Sequence, residues 1–212
     1  MSTIKLIPTS GGGSVSLVPP NSTSGSDVTI TLPTVSQTLP VGPVLEQFFY
    51  PCNGETVTTS AGDITLPDVD AAQEGTTTYV DLTGSTIAYT PPAGTKTVVY
   101  KVQLWHGRGG DQEQIGHFKF YIDSDEVTDA YLTHGGEDIS TLLTYEWPIR
   151  IGGSADTATG RVASWTSAKT LKLQYREYGS SNEARAHITA HSDGTGTDRF
   201  VRPRIGITAL NT

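Results

Sequence analysis

The chain has 212 residues, a formal net charge of −8 and a single cysteine, Cys52. This length accommodates one large all-β domain, or a smaller domain with an arm, and it allows a core that needs no cross-links. A single cysteine cannot form an intrachain disulfide, so a disulfide-stapled secreted scaffold is excluded. The N-terminus lacks the apolar core of a signal peptide, and no run of about 18 apolar residues occurs. We therefore expect a protein that is made in a cytoplasm and is not inserted in a membrane.

The charge is unevenly distributed along the chain. Residues 1–95 contain one base and eight acids, whereas residues 161–204 contain eight bases and four acids. The acidic bulk argues against nucleic acid as a general partner. The basic C-terminal region is consistent with a solvated face or with a face against another chain, and composition does not separate the two.

Composition also favours strands over helices. Threonine is the commonest residue, aromatic residues are mostly tyrosine, and glycine and proline recur throughout the chain. These residues suit strands joined by turns and are poor helix formers. The fold class predicted from composition is all-β.

Residues 1–45 are predicted to form a short N-terminal β arm with little charge. Two short runs in it alternate apolar with polar residues, as strands do. Each run is too short to bury its apolar side alone, and two-stranded ribbons are marginal in water. The arm therefore needs the rest of the chain or, as its repeated pattern favours, copies of itself. The residues predicted to attach the arm or to join copies of it are Val15, Leu17, Val28, Ile30 and Leu32.

Residues 46–212 are predicted to form a β-sandwich of the jelly-roll type. The aromatic run Phe48–Tyr50 follows the arm directly and is expected to anchor it to the core. Cys52 is expected to be a small buried hydrophobe rather than a reactive thiol. Candidate strands separated by turn-length gaps follow at Thr56–Thr59, Asp63–Leu66 and Thr76–Val80.

The clearest alternation lies in the strands Thr97–His106 and His117–Asp123, each with one apolar and one polar face. The glycine-rich loop between them is expected to be exposed, and loops on a rigid scaffold often carry binding residues. The residues of this predicted surface-binding loop are Arg108, Asp111, Gln112, Glu113 and Gln114.

The rest of the chain continues the strand pattern. A short helix is a possible alternative at Ser124–Leu132, and Tyr145, Trp147 and Ile149 alternate as in a strand. Three further strands are predicted at Leu171–Glu177, Ala184–Ala190 and Arg202–Leu210, with His187 on an outward face. About ten strands with turn-length links match a sandwich or a jelly roll.

No motif in the sequence predicts catalysis. The nucleophile elbow, the phosphate loop and the complete dinucleotide fingerprint are all missing, so we expect neither an enzyme nor a cofactor. His187 and His191 would lie roughly 13 Å apart on a strand, too far to share a metal ion. The segment from Asp193 to Asp198 has the oxygen-rich look of a calcium loop without its full pattern, so a plain hairpin is expected and a bound ion stays open.

Two stretches resemble proteins of bacteriophage particles. The segment Gly12–Val35 is similar to the Gly-Gly-x-Val-x-Leu…Val-Thr-Leu-Thr-Leu-Pro segments of tail-fibre proteins, in which three chains intertwine. The blocks that begin at Gly84, His117 and Leu171 resemble the C-terminal head domain of fibre-like virion proteins, which is a jelly-roll sandwich that usually trimerises.

The resemblance implies a homotrimeric, non-enzymatic structural protein on the outside of a virion, made in the host cytoplasm. Its expected partners are other virion proteins of the capsid or tail, with a host surface glycan as a candidate ligand. Family fibres begin with a longer tail-attachment region than the residues before Gly11, so a capsid head-decoration protein that stabilises neighbouring subunits is the alternative. A stand-alone carbohydrate-binding module is a second alternative, because tryptophan and tyrosine rings stack on sugars.

Overall fold

The computed structural model describes residues 4–6, 15–17, 43–108, 114–136, 140–181, 183–191 and 197–212. The chain divides into two compact units, residues 1–39 and 40–212. In the first unit, strands β1 (Ile4–Leu6) and β2 (Val15–Leu17) pair antiparallel, with Ile4 opposite Leu17. The other predicted arm residues, Val28, Ile30 and Leu32, lie outside the described residues.

The second unit is built from strands and turns, and none of its described segments is an apolar helix of membrane-spanning length. Its strands are β3 (Val44–Pro51), β4 (Thr56–Thr59), β5 (Gly62–Thr65), β6 (Gln73–Glu74), β7 (Val80–Asp81), β8 (Ile87–Tyr89), β9 (Thr97–Arg108), β10 (Gln114–Ile122), β11 (Asp125–Gly136), β12 (Thr141–Arg150), β13 (Lys169–Glu177), β14 (Ala184–Ala186), β15 (Ile188–His191), β16 (Thr197–Phe200) and β17 (Arg204–Leu210).

These strands form two main antiparallel sheets. In the first sheet, β9 lies between β12 on one side and β17 and β14 on the other, and β3 and β6 complete the edges. In the second sheet, β10 lies between β11 and β13, and β7 and β8 pair with successive parts of β13. Two short hairpins, β4–β5 and β15–β16, stand beside them.

The two main sheets pack face to face through aromatic side chains. Tyr100 of β9 stacks on Phe120 of β10, with ring centroids 5.0 Å apart and an interplanar angle of 21°. Tyr145 of β12 approaches both rings, with centroids 6.3 Å and 6.0 Å away. The residues that meet between the sheets are the apolar ones that alternate along each strand. The predicted all-β sandwich is therefore confirmed.

Strands β9 and β10 follow one another along the chain, as predicted, but they lie in opposite sheets. The inner face of each is mostly apolar, and in β10 Phe118, Phe120 and Ile122 are at most 4% exposed. The exceptions are His106 in β9 and Gln114 in β10, which are polar and buried. The outer residues of β10 are half-buried.

Some predicted elements differ from the structure. The segment in which a short helix was an alternative, Ser124–Leu132, falls almost entirely within strand β11. The predicted strand Thr76–Val80 is a strand only at its last residue, because the Thr76 hydroxyl donates to the carbonyl of Thr78 and closes a local turn there.

The predicted strand Ala184–Ala190 is broken at His187. This residue has a φ of 67°, in the left-handed region, and it separates β14 from β15. Its amide donates to the Trp105 carbonyl over 2.7 Å, and its own carbonyl accepts from the Val201 amide over 2.8 Å. The bend turns its ring into the protein, where it is fully buried, so the predicted outward position of His187 is wrong.

Cys52 is fully buried, as predicted, and its thiol donates to the Gly84 carbonyl over 3.3 Å. Burial raises the pKa of the thiol to about 12, although nearby Arg202 opposes the shift. Because the thiolate is the reactive species, we expect a maleimide at pH 8 to leave the folded protein unlabelled and to label the chain fully in urea. Rapid labelling of the folded protein, followed by mass spectrometry, would contradict this.

Candidate functional site

The structure separates the residues of the predicted surface-binding loop. Arg108 is the last residue of β9, and Asp111, Gln112 and Glu113 lie outside the described residues. Gln114 does not lie in an exposed loop: it begins β10, and its side chain is fully buried. Sequence reasoning missed this because strand β10 begins at Gln114, three residues before the predicted strand start at His117.

The predicted ion loop is a hairpin where the structure describes it. Asp198 lies in β16 opposite Ala190 of β15, and Asp193 lies outside the described residues. The nearest ionic contact of Asp198 is with Arg185, whose Nη1 lies 3.8 Å from its Oδ2. Among the described side chains, no three His, Cys, Asp or Glu groups converge so that they could hold a metal ion.

An aromatic surface covers the outer side of the second sheet, and we call it the tyrosine face. It arises because β10, β11 and β13 each turn alternate residues away from the core. Its most exposed rings, Tyr131 and Tyr178, have 53% and 61% of their surface accessible. The tyrosine face consists of Tyr79, His117, Lys119, Tyr121, Glu126, Tyr131, Arg176 and Tyr178.

Glu126 organises the middle of this face. Its carboxylate accepts hydrogen bonds from the hydroxyls of Tyr121, over 2.6 Å, and Tyr131, and it lies 2.9 Å from Lys119 Nζ. The two tyrosine hydroxyls, and then Lys119, lower the pKa of Glu126 to about 2. The carboxylate is therefore ionised at neutral pH and holds both rings in place.

Cations lie against the tyrosine rings. Lys119 Nζ is 4.6 Å from the centroid of Tyr79 and 5.3 Å from that of Tyr131, and the Arg176 guanidinium carbon is 5.3 Å from Tyr79. At these distances a cation is attracted to the face of the ring. The contacts fix the long cationic side chains and the rings before any ligand arrives, which lowers the entropic cost of binding.

The chemistry of the tyrosine face is suited to binding. Tyrosine combines a flat apolar ring with a hydroxyl, and such residues are enriched where proteins contact sugars or other proteins. No serine, cysteine or histidine of this face is paired with a base and an orienting carboxylate in the described residues. His117 contacts the Thr133 hydroxyl over 2.9 Å and lies beside Tyr178.

A buried histidine cluster lies inside the same end of the sandwich as the predicted loop. His106 Nε2 is 3.3 Å from the Tyr175 hydroxyl, and His106 Nδ1 is 3.2 Å from His134 Nδ1. The Thr141 hydroxyl is 3.3 Å from His134 Nε2. Burial, and then neighbouring His134, lower the pKa of His106 to about 3, so its ring is neutral. The cluster ties the two sheets together at the end of β9.

The chain was compared with protein families, curated proteins and solved structures. No protein-family model matches the chain, and no curated protein matches it. Among solved structures, it is similar to the VP2 subviral particle of infectious bursal disease virus, with a TM-score of 0.41 and 13% identity over 97% of this chain and 41% of that one. It is also similar to the structures of the Gt and Gx strains of that virus. Each has a TM-score of 0.34 and 14% identity over 97% of this chain, and the matches cover 44% and 46% of those chains. The chain spans less than half the length of these proteins.

Proposed function

We propose that this chain is a non-enzymatic structural protein of a bacteriophage virion, which forms a homotrimer and projects from the particle as a fibre or spike. The observation that carries the proposal is the tyrosine face, an ordered and exposed binding surface on a rigid sandwich. The resemblance of Gly12–Val35 to tail-fibre segments supports the same role. The surface would meet a host glycan or a neighbouring virion protein.

The first unit supports the trimer. Strands β1 and β2 have three residues each, and their pairing joins Ile4 to Leu17 and Leu6 to Val15. A two-stranded ribbon of this length is marginal in water, so it needs further strands to bury its apolar side chains. Equivalent strands from two more chains would supply them, which gives closed threefold symmetry.

The solution mass tests the trimer. Because one chain has a mass of 22.5 kDa, we expect sedimentation equilibrium of the full-length protein to give about 68 kDa. Replacing Val15 and Leu17 together by serine should lower that mass, because it removes apolar side chains from β2. A full-length protein that stays at the mass of one chain would overturn the trimer and favour a stand-alone carbohydrate-binding module.

Attachment tests the virion role. We expect an antibody to the protein to label purified particles of the source virus, and the purified protein to bind intact host cells. Replacing Tyr131 and Tyr178 by alanine should weaken cell binding at least tenfold, whereas the same change at Tyr50, an exposed tyrosine of the first sheet, should not. Stoichiometric binding to emptied capsids without cell binding would favour the head-decoration role, and unlabelled particles would overturn both.

A further inference from the structure

A second concave surface lies where β9 begins and β12 ends, at the opposite end of β9 from the predicted loop. It has a volume of about 320 Å³, and we call it the basic groove. Three exposed cationic side chains line it, and none of the described acidic side chains does. The residues that carry the argument are Lys96, Thr97, Arg150, Gly152, Arg161 and Thr212.

Backbone pairing brings the three cations together from separate parts of the chain. The Ile151 amide donates to the Lys96 carbonyl over 2.8 Å, and the Val162 amide donates to the Arg150 carbonyl over 3.0 Å. Lys96, Arg150 and Arg161 therefore sit on three adjacent segments. A Cβ added at Gly152, which has a φ of 107°, would meet no described atom within 4 Å.

The three cations lack the ion pairs that other cations of the protein make. Lys101 lies 3.3 Å from Glu146, and Arg185 lies 2.6 Å from Glu74. In the described part of the chain, no carboxylate side chain lies within ion-pair distance of Lys96, Arg150 or Arg161.

The carboxylate of Asp156, which pairs with Arg161 through the backbone, is engaged locally. It accepts from the Ala158 amide and the Thr159 hydroxyl. The main-chain oxygen of Thr212 accepts from the Thr97 hydroxyl at the edge of the groove. Three cations that line one groove make its electrostatic potential positive, which favours the binding of an anion.

A second pocket adjoins the basic groove and shares Lys96, Ile151 and Gly152 with it. Its lining carries no other charged residue, and we call it the neutral pocket. It has a volume of about 540 Å³, and the Trp165 indole in its wall is held by a hydrogen bond to the Tyr89 carbonyl over 3.0 Å. Apolar residues line it together with four that carry hydroxyls, Thr90, Thr95, Ser164 and Thr166, of which Thr95 donates to the Pro92 carbonyl.

We propose that the basic groove binds the anionic group of an acidic glycan, while the neutral pocket takes the adjoining sugar. Arginine and lysine recognise carboxylate, phosphate and sulfate alike, and the hydroxyl-lined pocket suits a polyol. The inference rests on the proposed virion role for the choice of a cell-surface glycan. Duplex nucleic acid fits less well, because it would extend from the groove over the acidic body of a protein with a net charge of −8.

Calorimetric titration of the full-length protein tests the groove. The probes are a uronic-acid tetrasaccharide, a neutral glucose tetrasaccharide, inorganic sulfate and a short DNA duplex. We expect saturable binding of the acidic tetrasaccharide that weakens with added salt, and at least tenfold weaker binding of the neutral one. The variant Arg150→Gln/Arg161→Gln should bind the acidic tetrasaccharide at least tenfold more weakly.

The matched control is Lys101→Gln/Arg185→Gln, which removes the same charge from cations that are paired elsewhere. It should change the affinity less than about twofold, because Lys101 and Arg185 do not line the groove and their charges are offset by Glu146 and Glu74. Equal losses in the two variants, or equal binding of the two tetrasaccharides, would overturn the proposal, as would tighter binding of the duplex. Sulfate binding without binding of the acidic sugar would show an adventitious ion only and would also overturn it. Solution mass and particle labelling test the virion role separately.

Discussion

Replacing Phe120 by alanine is expected to lower the free energy of unfolding by about 3–5 kcal/mol. The Phe120 ring is fully buried between the sheets, stacked on Tyr100 and close to Tyr145. Neither tyrosine can move into the space, because the Tyr100 hydroxyl donates to the Ser85 carbonyl and the Tyr145 hydroxyl donates to the Ala130 carbonyl. The substitution therefore leaves a cavity as well as lost apolar contact. Urea unfolding followed by tryptophan fluorescence measures the change.

The control is the next residue in the same strand. Tyr121 lies on the tyrosine face, where its hydroxyl donates to Glu126 and its ring is partly solvated. We expect Tyr121→Ala to cost about 1 kcal/mol or less, in line with surface substitutions. A comparable loss in both variants would mean that β10 does not present one face to the core and the other to solvent.

The sequence alone predicted this alternation of buried and exposed residues along the strands. Apolar residues at every second position predicted the inner faces of β9, β10 and β13, and the side chains concerned are almost fully buried. A strand pattern of this kind reports burial directly, because successive side chains point to opposite faces. The buried predicted residues are Val98, Tyr100, Val102, Leu104, Phe118, Phe120, Ile122, Leu171, Leu173 and Tyr175.

The candidate sites were less accessible to sequence reasoning, because they depend on the order of strands in the sheets. Tyr121 follows from the β10 pattern, but Tyr79 and Tyr131 join it only because β7 and β11 belong to the same sheet. Likewise, Arg150 and Arg161 meet through the pairing of Val162 with the end of β12. No local pattern encodes which strands are neighbours, so convergence of distant residues was not predicted.

The tyrosine face and the basic groove also differ in whether their cations are paired with carboxylates. On the tyrosine face, Lys119 is offset by Glu126, and the Arg176 guanidinium lies against the ring of Tyr79. In the basic groove, Lys96, Arg150 and Arg161 are left without acidic partners among the described residues. A ligand for the tyrosine face is therefore expected to bind with a weaker dependence on salt than a ligand for the basic groove.

Acid is expected to destabilise the protein through its two fully buried histidines. Burial lowers the pKa of His106 to about 3, together with His134, and that of His187 to about 4. An unfolded histidine has a pKa near 6.5, so between these values the unfolded chain binds more protons than the folded one. The free energy of unfolding therefore falls as the pH is lowered through 6.5, and the loss is complete only below the folded pKa values. Each histidine should remove about 2 kcal/mol between pH 7 and pH 5.

Urea unfolding at pH 7 and pH 5 separates this effect from that of the carboxylates, most of which titrate below pH 5. In each of the variants His106→Gln and His187→Asn, the decrease in the free energy of unfolding between pH 7 and pH 5 should be smaller by about 2 kcal/mol. This holds however much the substitution destabilises the protein at pH 7. Asparagine is chosen at position 187 because it tolerates the left-handed φ of 67° found there. In contrast, His117→Gln on the tyrosine face should alter the loss much less, since its ring is only partly buried. If the wild-type protein is equally stable at both pH values, the histidines are not held neutral by the fold, and the cluster at the end of β9 is open to water.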